Sequence, residues 1–110
     1  MKHRVFVQPA AAAEIERAYL RISEEAPETA TRWYNSLYDA ILSLGSNPSR
    51  CSLCQENDAF EHEIRQLLYG RKGRRYRILF TLRDEVVHVL HFRHWAQRPL
   101  TTAEARRPQS

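Results

Sequence analysis

Pro27 divides a run of helical periodicity that otherwise extends from Pro9 to Leu44, and this interruption constrains the fold more than any other feature of the chain. Before it, Ile15, Ala18, Tyr19 and Ile22 recur at i, i+3, i+4 and i+7, with Glu14, Glu16, Arg17, Arg21 and Glu24 largely on the wet side. After it, Ala30, Trp33, Tyr34, Leu37, Tyr38, Ile41 and Leu44 repeat the pattern up to Gly45, a C-cap candidate. Proline suits a first helical turn but cannot continue a helix, so Pro9 and Pro27 each open one, and the first ends near Ala26. Two amphipathic helices with so short a link fold back on each other, and their apolar stripes need a second layer.

Strands supply that layer. Residues 2–7 end in Val5 and Val7 and stop at Pro9, which predicts a short first strand. Residues 64–69, 76–82 and 86–92 form three more strand-like runs, joined by Gly70-Arg71-Lys72-Gly73 and Arg83-Asp84-Glu85, so they predict an antiparallel meander. Tyr76, Ile78, Phe80 and Leu82 alternate on one face, and Arg75, Arg77 and Thr81 on the other. A three-residue loop over 83–85 sets Leu82 opposite Val86, Ile78 opposite Leu90, Tyr76 opposite Phe92, Arg77 opposite His91 and Arg75 opposite Arg93. That register predicts a cluster of Arg75, Arg77, His91 and Arg93 on the face that the helices leave uncovered. The expected fold is therefore α+β: an N-terminal strand, an antiparallel helical hairpin and a three-stranded meander, with both helices on one face of a single, largely antiparallel sheet.

With 110 residues, 43% of them hydrophobic, the chain suits one core and not two. The expected domain covers residues 1–100. Residues 46–62 show no period, contain Asn47-Pro48 and Gln55-Glu56-Asn57-Asp58, and make a loop long enough to be a binding element. Residues 101–110 are Thr-, Ala- and Arg-rich without an apolar pattern, which predicts a mobile tail. No stretch approaches the ~20 apolar residues of a membrane span, and residues 1–9 lack the apolar core of a signal peptide, so the expected compartment is the cytoplasm. Cys51 and Cys54 have the spacing of half a zinc site, but no second pair completes four ligands; reduced thiols and no metal are expected.

The net charge of +4 is unevenly spread. Residues 1–60 hold six Lys/Arg against eight Asp/Glu, and residues 61–110 hold eleven against five, giving −2 and +6. The second half is thus the expected functional surface, suited to phosphates or an acidic protein. The run Arg71-Lys72-Gly73-Arg74-Arg75-Tyr76-Arg77 concentrates this charge, although a charged hairpin tip also serves simply to keep an edge solvated. Arg65 and Arg77 also suit structural ion pairs with Glu61, Glu63 or Asp84.

The element order, together with Ile64-Arg65-Gln66-Leu67-Leu68, Gly73-Arg74-Arg75-Tyr76-Arg77-Ile78-Leu79-Phe80 and Val87-His88-Val89-Leu90-His91-Phe92-Arg93-His94, resembles the RelE/ParE superfamily of bacterial toxins, the plasmid-stabilisation type. The likeness runs over residues 5–100. It implies a growth-inhibiting toxin of a type II toxin-antitoxin module, neutralised by a cognate antitoxin that also sets the oligomeric state, with no cofactor. RelE-like members cut messenger RNA in the ribosome without a metal, and ParE-like members inhibit DNA gyrase with no catalysis of their own.

For a nuclease, the resemblance points to Arg77 and Arg65 as phosphate-contacting cations and to His94 as an acid/base. Trp95 stands where some of those nucleases have a tyrosine, and it cannot exchange a proton. For either target, Arg71, Lys72, Arg74, Arg75 and Arg93 are the expected binding residues. The long helices and the 46–62 loop lean toward the gyrase poison, the ribosome-dependent nuclease being the alternative. A non-toxic binding module of the same fold is a third reading.

Overall fold

The computed structural model describes residues 2–71 and 75–105. The helical hairpin forms as its prolines require. Helix α1 (Pro9–Glu25) buries Ala11, Ile15, Ala18 and Ile22, and α2 (Pro27–Leu42) buries Ala30, Leu37 and Ile41. Each has proline in its first turn, and Ala26 between them leaves helical geometry at φ −150°. After Leu42 the chain tightens into a 3₁₀ turn, Ser43–Gly45, which keeps Leu44 fully buried. Gly45 is needed for close approach rather than as a helix cap: a Cβ there would stand 2.6 Å from the His3 carbonyl oxygen. The His3 N–H donates to the Gly45 carbonyl at 2.7 Å, tying the N-terminal segment to the end of the hairpin.

Strands β1 (Arg4–Val7), β2 (Arg65–Tyr69), β3 (Tyr76–Arg83) and β4 (Val86–His94) form one sheet in the order β1-β4-β3-β2. β1 runs parallel to β4, and the other pairs are antiparallel. One face, carrying Tyr76, Ile78, Phe80, Val87, Val89 and Phe92, packs on Ala11, Ile15, Ala18, Leu37 and Ile41 of the helices.

The β3–β4 register differs from the expected one twice. Asp84 and Glu85 alone make the turn, with φ of 51° and 64°, and set Arg83 opposite Val86. Two left-handed residues build a turn whose twist matches the strands, and the one-residue shift sends Val87 and Val89, not Val86 and His88, to the helices. Leu90 is then an extra residue: Phe80 faces Val89, while Leu79 faces His91. This bulge reverses the parity and returns Phe92 to the helix side. Tyr76 therefore lies opposite His94, Arg77 opposite Arg93 and Ile78 opposite Phe92.

The other sheet face is not open. Cys54, Ile64, Leu79, Leu100 and Ala105 form a second buried cluster there, with Ala59, Phe60 and Leu90 packed against it. The loop expected to be a binding element thus acts largely as a cover, with 3₁₀ turns at Pro48–Arg50 and Asn57–Ala59. The expected mobile tail begins as structure: Thr101 caps the short helix α3 (Thr102–Ala105), its N–H donating to Glu104 Oε1 at 3.0 Å while its hydroxyl accepts the Glu104 N–H at 3.2 Å. Residues 106–110 lie outside the described residues.

Candidate functional site

The register places an aromatic floor at one end of the helix side. Tyr76 stacks on Phe92 with centroids 4.6 Å apart, and Trp33 meets both edge-on at 5.6 and 6.0 Å. His94, the cross-strand partner of Tyr76, meets that ring edge-on at 5.2 Å. One flank of α1 overhangs this floor with Glu14, Arg17, Ala18 and Arg21, at i, i+3, i+4 and i+7, enclosing a groove of about 560 Å³.

The polar groups in the groove are unequally engaged. Glu14 Oε1 accepts the Phe92 N–H at 3.0 Å and stands 3.4 Å from His91 Nδ1. His94 Nδ1 accepts the Ala96 N–H at 3.0 Å, which assigns the proton of a neutral imidazole to Nε2. The Gln97 side chain accepts the His94 N–H at 2.7 Å and closes the turn beyond β4. Arg17 and Arg21 are exposed, and neither has a hydrogen bond or ion pair among the described residues. Beyond the strand ends, the exposed Arg75 guanidinium lies 5.9 Å from the centre of the Trp95 ring. Trp95 is 51% exposed, and its N–H donates to the Arg75 carbonyl at 2.7 Å. Free guanidiniums above an aromatic floor suit carboxylate or phosphate groups.

The structure does not gather Arg77, Arg65 and His94 into one site. Arg77 is on the far face, 0% exposed, with Nη1 and Nη2 each donating to the Glu56 carboxylate at 2.6 Å and Nη1 also reaching Gln66 Oε1 at 3.2 Å. Burial pushes the Glu56 carboxyl up, but the Arg77 hydrogen bonds, the Leu100 N–H and the guanidinium charge outweigh it and hold it below the ordinary carboxylate range. Arg65 is half-buried on the helix side, opposite Phe80, donating to the Cys51 carbonyl at 2.6 Å and standing 3.6 Å from Glu63. Phe80 and Tyr76 are four residues apart on β3, with β2 and β4 on either side of it, so Arg65 and His94 are offset by about 13 Å along the strands and by about 10 Å across them. Arg77 and His94 are separated by the sheet itself.

The expected open cluster of Arg75, Arg77, His91 and Arg93 is likewise divided. His91 is buried beside the Phe60 ring at 6.5 Å, and Arg93 is 7% exposed and donates to the Arg98 carbonyl at 2.7 Å. Only Arg75 of the four is exposed. Arg71 is exposed too, and Lys72 and Arg74 lie outside the described residues. Cys51 packs into the helix-side core and Cys54 into the far one, so the pair straddles the sheet's two layers. Burial pushes both thiols up, that of Cys54 to about 11, which keeps them protonated and unreactive.

Arg17, Arg21 and Glu56 were not singled out by sequence reasoning. The two arginines had a signal: like charges one turn apart repel in an isolated helix, so the pair stands out on the wet face of α1. Glu56 had none, sitting among turn formers.

No curated protein matches the chain. A chain in a solved structure described as a chromosomal ParDE TA system from P. aeruginosa is similar in fold, with a TM-score of 0.65 at 14% identity, covering 84% of this chain and 96% of that one. The family model described as the ParE toxin of the type II toxin-antitoxin system parDE matches residues 5–99, nearly the whole described domain. The chain belongs to the ParE toxin family of type II toxin-antitoxin systems.

Proposed function

We propose that this toxin is a ParE-like gyrase poison that works by binding, and that a cognate antitoxin holds it inactive. The observation that carries the reading is the dispersal of Arg77, Arg65 and His94 over two faces and two ends of the sheet. General acid–base cleavage of RNA needs its base, acid and phosphate-binding cations around one reacting phosphate, within hydrogen-bond reach. Binding asks only for a surface. The groove between α1 and the β3–β4 end, lined by Arg17, Arg21 and His94, offers one that suits anionic groups of a protein partner, and the exposed Arg75 and Trp95 adjoin its strand residues in sequence. Arg71 extends the same basic character at the β2–β3 connection.

Pulse-labelling of new DNA and new protein within minutes of induction tests the reading. DNA labelling falls first for the wild type, and Arg17→Ala/Arg21→Ala removes the effect while the variant stays folded. Earlier loss of protein labelling overturns the gyrase reading in favour of the ribosome. Unchanged toxicity of the double variant removes the groove from it.

A further inference from the structure

A second groove, on the opposite flank of α1, has the reverse chemistry. Ala12, Glu16 and Tyr19 of α1 and Tyr34 and Tyr38 of α2 line a depression of about 460 Å³ where the two helices meet. Tyr34 is the hub: Tyr19 meets it at 5.4 Å with planes 70° apart, and Tyr38 lies 4.8 Å away at 42°. All three rings line the depression, and Tyr34 keeps 38% of its surface exposed, more than core packing requires. Burial, and then the neighbouring Tyr34 phenol, push Tyr38 up to about 12, so its hydroxyl stays neutral.

The charge is one-sided. Glu16 is exposed, has no hydrogen bond or ion pair among the described residues, and is the only ionised group lining the groove. The nearest arginines in sequence, Arg17 and Arg21, line the other groove. Leu20 and Leu42, 52% and 62% exposed, provide apolar shoulders one turn beyond Glu16 and Tyr38. A carboxylate beside several aromatic faces attracts a cation, and a planar guanidinium gains most because it stacks on rings while pairing with the carboxylate.

We propose that the Tyr19–Tyr34–Tyr38 groove with Glu16 is a docking site for an arginine side chain carried on an apolar segment of a partner protein. The site does not depend on which macromolecule the toxin inhibits. Its occupant is distinguished by charge from anything drawn to the Arg17–Arg21 groove.

The test is an NMR titration of the full chain, following tyrosine ring resonances, with the blocked peptide acetyl-Leu-Arg-Leu-Leu-amide. A second peptide with citrulline, an uncharged mimic of arginine's shape, replaces the arginine. The arginine peptide shifts Tyr19, Tyr34 and Tyr38 saturably, and both the citrulline peptide and Glu16→Gln weaken binding about three- to tenfold. Glu16 is exposed, so this variant keeps its fold, and unchanged amide shifts elsewhere verify that. Equal binding of the two peptides overturns the proposal in favour of a merely apolar surface. Shifts centred on His94, or no saturable shift up to about 10 mM peptide, overturn it as well.

Discussion

Removing the Glu56 carboxylate leaves Arg77 charged and without a counter-ion where water does not reach, since both side chains are only 1% exposed. Breaking one side of such a pair costs about 3–5 kcal/mol, so chemical denaturation of Glu56→Gln at neutral pH is expected to show a loss of that size. Glu56→Leu combined with Arg77→Met recovers most of it, because an apolar pair of similar volume avoids desolvating two charges. The pH dependence follows from the lowered Glu56 pKa. A carboxylate held below its ordinary 4.5 stabilises the fold fully above that value and loses the contribution as pH falls through the lower folded value. Thermal melts below pH 4.5 are therefore steeper in pH for the wild type than for Glu56→Gln. A structural ion pair was legible for Arg77, whose strand position alternates with core residues. Its partner was not, because Glu56 lies 21 residues away in a segment without periodicity, and only tertiary packing brings it there.

At the scale of elements, the prolines and apolar spacing were enough to define the hairpin, and alternation was enough to define the strands. The β3–β4 turn was misread because Asp84-Glu85 lacks glycine, the usual mark of a two-residue left-handed turn. The spacing of Val87, Val89 and Phe92 carried a hint. Strict alternation calls for residue 91, and the extra step marks the bulge at Leu90. Because Glu85 sits at φ 64°, Glu85→Gly relieves a conformation that a side chain disfavours. The gain expected by calorimetry is about 0.5–1 kcal/mol, and the loss of the 3.4 Å contact between Glu85 and His3 costs little, the glutamate being 77% exposed. A destabilised Glu85→Gly variant counts against the strain argument.

Across the whole molecule, the sheet is covered on both sides, by helices on one and by the 46–62 loop with residues 99–105 on the other. The second cover escaped a reading based on periodicity, since neither segment is regular. The Thr101-x-x-Glu104 capping pattern was its one visible trace. Ending the chain at Arg98 removes the buried Leu100 and Ala105 and the Leu100 N–H bond to Glu56 at 3.1 Å. The truncated protein is expected to lose about 2–4 kcal/mol in urea titration and to bind an apolar dye, while stability equal to the full chain shows the cover to be dispensable. The same arrangement has a consequence in time. Synthesis delivers every helix-side partner of the sheet by His94, whereas the far side waits for Leu100 and Ala105. A chain released between those points has its groove side complete, with its most deeply buried charge pair still open to water.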